Sequence, residues 1–216
     1  NSVIPFVDIM KLGNDDQKRM VLSKMMSHFK PEFVPALMMG LRDDSNPIRV
    51  QAATVMAKLD EDYSRNIIQL EKKIFTRDCV IRPKRISLKY LADYCYDYCY
   101  SKLLDEQRTS INCQKTIKYY KKLLSISQKH KQEIYIKLGH LYLSEKNYQA
   151  AYDFLKKAKI HSQPSNPYAA NYLMIAMFEL KKFAEIRRFA NKYKKIINQD
   201  NPKAYEILDN LKCWSG

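Results

Sequence analysis

The 216-residue chain predicts an all-α fold, a right-handed helical solenoid of stacked helix pairs. Three observations carry this expectation. The chain has only 4 Gly and 8 Pro, too few for the tight turns of an all-β protein. It is well supplied with residues that favour helix (Leu, Lys, Ala, Glu, Met and Gln), and its hydrophobic content of 46% is enough to bury a core. Apolar residues recur at helical period inside segments that repeat, about 30 residues apart near the N-terminus and about 35 near the C-terminus.

In chain order, Asn1–Gly13 carries a short apolar patch (Val3, Ile4, Phe6, Val7, Ile9, Met10), which reads as a docking segment or short helix. Asn14–Tyr63 holds an internal repeat. DDQKRMVLSKM aligns with SNPIRVQAATVM, so that Arg19 matches Arg49, Leu22 matches Ala52 and Met25 matches Val55. Each copy opens on a polar cluster suited to capping and runs into an apolar stripe. Pro47 fits a first helical turn, where its missing donor costs nothing. Between the copies, PEFVPALMMGLRD reads as an antiparallel helix opened by Pro31 and weakened near its end by Gly40. The run DDSNPIRVQAA resembles the second-helix motif of HEAT repeats, and a generic helical bundle is the other reading. Glu61–Phe75 continues as an amphipathic helix. Thr76–Lys84, with Pro83 and the cations Arg77, Arg82, Lys84 and Arg85 around it, reads as a basic joint.

Ile86–Gln107 is the most aromatic stretch, with Tyr90, Tyr94, Tyr96, Tyr98 and Tyr100 covering more than one helix face. Glu106–Ser110 reads as the turn after it and Ile111–Ile126 as the partner helix. Gln132–Gln163 is then a helical hairpin. Small residues stand where its helices must approach, and large ones fill the remaining space. It resembles a tetratricopeptide (TPR) repeat in Tyr135, Leu138, Gly139 and Tyr142 on the first helix. On the second helix the matching residues are Ala151, Leu155 and Ala158, and Tyr148 stands at its start. Asn166–Gln199 is a degenerate copy. Leu138 matches Leu173, Tyr148 matches Phe183 and Leu155 matches Ala190, while Met174 replaces the Gly, Met177 the Tyr and Ile186 the Ala. Lys203–Lys212 reads as a capping helix. The expected organisation is thus HEAT-like helix pairs over 1–75, a joint over 76–85, and TPR-like hairpins with a cap over 86–216.

No catalytic constellation is visible. There is no paired-carboxylate site, no supported Ser/His/Asp arrangement, no Gly-rich phosphate loop and no His-Glu zinc motif. No catalytic residue, metal or cofactor is therefore expected. The five Cys (Cys79, Cys95, Cys99, Cys113, Cys213) lack zinc-ribbon spacing and read as buried thiols of a reducing compartment. The net charge of +15 favours acidic partners. Lys115–Lys122 and Arg187, Arg188, Lys192, Lys194 and Lys195, interleaved with Tyr119, Tyr120 and Tyr193, fit either nucleic-acid binding or a solvated helix face. The solvated face is favoured, so nucleic acid is not an expected partner. No apolar run reaches the ~20 residues of a membrane span.

The first helices of the TPR-like hairpins would line an inner, concave face. The residues expected to bind a partner there are Glu133, Lys137, His140 and Ser144, then Tyr168, Asn171 and Ile175. The order of modules, PALMMGLRDDSNPIRVQAATVMAKLDEDYSRNI followed by LADYCYDYCYSKLL and CQKTIKYYKKLL, resembles the soluble region of PelE-like inner-membrane components of Pel exopolysaccharide secretion. That resemblance implies a non-catalytic scaffold on the cytoplasmic face of a bacterial inner membrane, in biofilm polysaccharide export. It implies transmembrane helices before Asn1, and as partners a cyclic-di-GMP receptor and a cytoplasmic glycosyltransferase. A generic TPR adaptor and a basic nucleic-acid-binding helical-repeat protein are the alternatives.

Overall fold

The computed structural model describes residues 3–75, 81–127, 129–158 and 167–194. These residues form ten α-helices and one short 3-10 turn, and no strand occurs among them. The expected all-α class is what the structure contains. The chain divides into two compact units, Asn1–Asn112 and Cys113–Gly216. The division falls inside a helix, whereas the sequence places a joint at 76–85.

The first unit begins with α1 (Val3–Leu12) and α2 (Asp15–Ser27). Asn14 caps α2 by a full capping box: its Oδ1 accepts from the Gln17 N–H at 3.0 Å, and the Gln17 side chain accepts from the Asn14 N–H at 3.0 Å. The helix expected from Pro31 is split into a 3-10 turn, Pro31–Phe33, and α3 (Val34–Gly40). The second proline explains the split, because Pro35 can sit only in a helix's first turn and so restarts it there. Gly40 serves packing as well as termination. A Cβ there would lie 3.0 Å from the Ala52 Cβ and 3.1 Å from the Met10 Cε.

The second repeat copy and the amphipathic segment after it form one helix, α4, over Asn46–Phe75, 30 residues long. Arg49 pins its entry, donating to the carbonyls of Asp43 (2.7 Å) and Asp44 (2.9 Å). Lys18 pairs with Asp43 at 2.7 Å with both side chains largely buried, and this hydrogen bond holds the Asp43 carboxyl below its ordinary range. Helix α4 packs on α2 and α3 through a core that includes Leu22, Met25, Leu37, Ile48 and Ala52, all buried.

Helix α5 runs Ile81–Tyr100 and α6 runs Glu106–Ile126. Residues 76–80 of the expected joint lie outside the described residues, and 81–85 form the first turn and a half of α5, with Pro83 at its third position. The turn between α5 and α6 is 101–105, not the expected Glu106–Ser110. The sequence signal was Asp105, whose Oδ1 accepts from the Arg108 N–H at 2.8 Å as a helix cap does. Buried Ser101 closes the preceding helix, its Oγ donating to the Tyr98 carbonyl at 2.8 Å and accepting from the Leu103 N–H at 3.2 Å. Cys95, Cys99 and Cys113 are buried thiols, as expected; Cys79 and Cys213 lie outside the described residues.

The second unit contains α7 (Lys131–Ser144), α8 (Tyr148–Lys157), α9 (Pro167–Glu179) and α10 (Phe183–Lys194). Helix α7 packs on α8 and α9, α8 on α9, and α9 on α10. Two hairpin turns are the same backbone structure 35 residues apart. Lys146 and Lys181 are both left-handed, at φ 56° and 57°. The Asn147 N–H donates to the Tyr142 carbonyl and the Lys182 N–H to the Met177 carbonyl, both at 2.9 Å. The Lys146 N–H donates to Leu143 (2.9 Å) and the Lys181 N–H to Phe178 (2.8 Å). The expected capping helix Lys203–Lys212 lies outside the described residues, as do His161, Lys195 and Trp214.

Candidate functional site

The hairpin α7–α8 is built around Gly139. A Cβ there would come within 2.3 Å of the Leu155 Cγ, so only glycine admits Leu155 at this crossing. Leu138, Ala151, Leu155 and Ala158 are buried, and Tyr135 and Tyr142 pack on the same core from its edge. Tyr148 is half-buried at the start of α8. Phe154, which the sequence reading did not single out, fills the space between the two tyrosines. Its ring is 5.5 Å from Tyr142 and nearly parallel to it, and 6.1 Å from Tyr135. The signal for it was its i+3 placement from Ala151 on the core side of α8.

The four residues expected on the face of α7 lie in register along it. Glu133 pairs with Lys137 at 3.2 Å, and the Ser144 Oγ donates to the His140 carbonyl at 3.3 Å. Ser144 is exposed, whereas Glu133, Lys137 and His140 are half-buried. His140 departs from the expectation of an open binding residue. Its ring stacks on Tyr172 of α9, with centroids 4.1 Å apart and planes 9° from parallel. Burial pushes its pKa down to about 4, so the imidazole is neutral at physiological pH. Lys137 also lies 5.9 Å from the Tyr120 ring centroid.

The α9 residues behave differently. Tyr168 is 47% exposed and Ile175 41%, with Asn171 half-buried between them. Phe178, at 46%, continues the same face, and Phe183, also 46%, meets it edge-on at 6.0 Å. The sequence reading missed Phe178 and Phe183 as surface residues. Both occupy positions where the preceding hairpin has half-buried Leu143 and Tyr148.

In the first unit a second group of side chains converges between α4 and α5. Tyr63 stacks on Tyr98 at 4.7 Å and lies 4.8 Å from Tyr94. Burial pushes the hydroxyls of Tyr63 and Tyr98 up to about 12. The Tyr98 hydroxyl donates to Asp60, which also accepts from the Arg108 guanidinium at 3.0 Å through each carboxylate oxygen. Every group here is engaged by a neighbour, and the cluster cross-links helices. Among the described residues no three His, Cys, Asp or Glu side chains converge as metal ligands would. No helix among them is long and apolar enough to cross a membrane. No family model matches the chain, and no curated protein matches it significantly.

Proposed function

We propose that the chain is a non-catalytic protein-interaction module, a right-handed solenoid that is HEAT-like over 1–75 and TPR-like from residue 86. The observation that carries this is the apolar face of Tyr168, Ile175, Phe178 and Phe183, each 41–47% exposed on a hairpin whose backbone turn repeats that of the one before it. An exposed apolar face of this kind suits an amphipathic helix or extended segment of a partner. The narrower reading is a scaffold at the cytoplasmic face of an inner membrane, in a Pel-type exopolysaccharide complex. It rests on the resemblance in the order of modules, and its partners are a cyclic-di-GMP receptor and a glycosyltransferase.

The test is co-purification of the chain with those two proteins. Ile175→Asp combined with Phe178→Asp removes the interaction and leaves the chain folded, at a cost of about 1 kcal/mol or more from the lost ring contact with Phe183. Undiminished co-purification by the folded double variant would dismiss this face. Absence of either partner from the wild-type complex would dismiss the narrower reading.

A further inference from the structure

We propose that a cavity between α8 and α10 is a second binding site, for an acidic peptide segment that carries one bulky apolar side chain. It goes beyond the partner face on α9 and does not depend on it. The cavity holds about 520 Å³. Its floor is Met177 and Phe189, both buried, and Tyr152 forms a wall. Its rim is cationic: Lys156 on α8, and Arg188 and Lys192 on α10, are all exposed. Lys182 adds a fourth cation beside it, its Nζ 3.7 Å from the Tyr152 ring centroid.

Among the described residues that line the cavity, one carboxylate opposes these four cations. Glu185 accepts a 2.7 Å hydrogen bond from the Tyr152 hydroxyl, which orients that wall. The Lys156 Nζ, 3.5 Å from the same hydroxyl, shares the cluster. The site therefore combines an apolar floor with an excess of positive charge at its edge. The apolar lining favours a peptide over a nucleic acid: Leu173, Met177 and Phe189 suit an aliphatic or aromatic side chain, which a phosphate backbone held at the rim does not supply. A peptide places its apolar side chain on the floor and its carboxylates on the rim, and the chain's net charge of +15 steers such a ligand in.

Fluorescence anisotropy of a labelled DDEFEDD peptide with the full chain tests this. The wild type binds saturably, and replacing the peptide's Phe by Ala weakens binding ~10-fold or more, the worth of one buried ring. Arg188→Glu with Lys192→Glu weakens it ~10-fold or more. Arg187→Glu with Lys118→Glu makes the same change in net charge at exposed positions outside the cavity and changes binding less than about 2-fold at physiological salt. If the rim double variant fails to fold, Lys192→Ala alone, at an exposed position, carries the test with a smaller loss. The proposal is overturned by absence of saturable binding. It is equally overturned if both double variants lose the same affinity, or if a labelled decathymidine binds more tightly than the peptide.

Discussion

Hairpins α7–α8 and α9–α10 share one backbone turn but solve the packing between their helices in opposite ways. In the first, glycine at 139 makes room for Leu155. In the second, the corresponding residues are Met174 and Ala190, both buried. The bulk has moved from one helix to the other while the crossing is kept. Similar exchanges occur nearby: Tyr142 corresponds to Met177, and Ala151 to Ile186, which is fully buried. The repeat conserves volume at a crossing rather than residue type at a position, which is how close-packed interiors tolerate sequence change. The two hairpins also differ in cover. His140 lies under Tyr172, whereas Ile175, its equivalent, is 41% exposed. Equivalent positions thus serve stacking in one hairpin and surface in the next.

The largest expected effect tests the exchange of bulk. Gly139→Met alone forces Met against Leu155 and destabilises the fold by ~1–3 kcal/mol. Leu155→Ala alone opens a cavity and costs ~2–5 kcal/mol. Combined, the two recreate the pairing of the second hairpin and cost at least ~1 kcal/mol less than the sum of the singles, read by urea unfolding. Simple additivity would break the comparison, because the two positions would then not share one contact.

The next effect concerns cover. His140 has its pKa lowered to about 4 in the folded chain, against an ordinary value near 6.5. A base with a depressed folded pKa binds fewer protons folded than unfolded between those values. Its contribution is therefore fully present above about pH 6.5 and is lost as pH falls toward 4, on the order of 1–3 kcal/mol. Unfolding midpoints of the wild type should drop over that range more steeply than those of His140→Gln. Parallel pH profiles would mean that burial does not hold the ring neutral.

The smallest effect sharpens what the hairpins share. Lys146 and Lys181 both adopt a left-handed backbone that glycine tolerates without strain. Lys146→Gly and Lys181→Gly should each raise stability by a few tenths to about 1 kcal/mol, after the added freedom of the unfolded chain is subtracted. Thermal melts should give similar shifts for both. A gain at one site alone would show that the turns differ in strain despite their matching hydrogen bonds.

Much of the α7–α8 hairpin was legible in sequence, because Gly139, Ala151 and Leu155 act through local spacing along two adjoining helices. The capping box at Asn14 and Gln17 was half legible for the same reason: the polar cluster announced a helix start, and the structure supplied the partner. The turn before α6 was misplaced, since one Asp at 105 had to compete with a polar run that reads equally well as a loop. Exposure was the least legible property. Phe178 and Phe183 look like core residues on any helical wheel, and His140 like a surface one. Whether a side chain on a repeat is covered depends on the neighbouring hairpin, not on its own periodicity.

By itself, then, the sequence determined the helical class, the 35-residue period and the small residues that let helices meet, because these follow from contacts within one or two turns of chain. Tertiary structure decided that α4 is a single helix, that His140 is neutral beneath Tyr172, and that Lys156, Arg188 and Lys192 gather around one cavity. The first follows from how α4 packs on α2, α3 and α5; the other two join residues tens of positions apart, which only the packing of α7 and α8 on α9, and of α9 on α10, brings within reach.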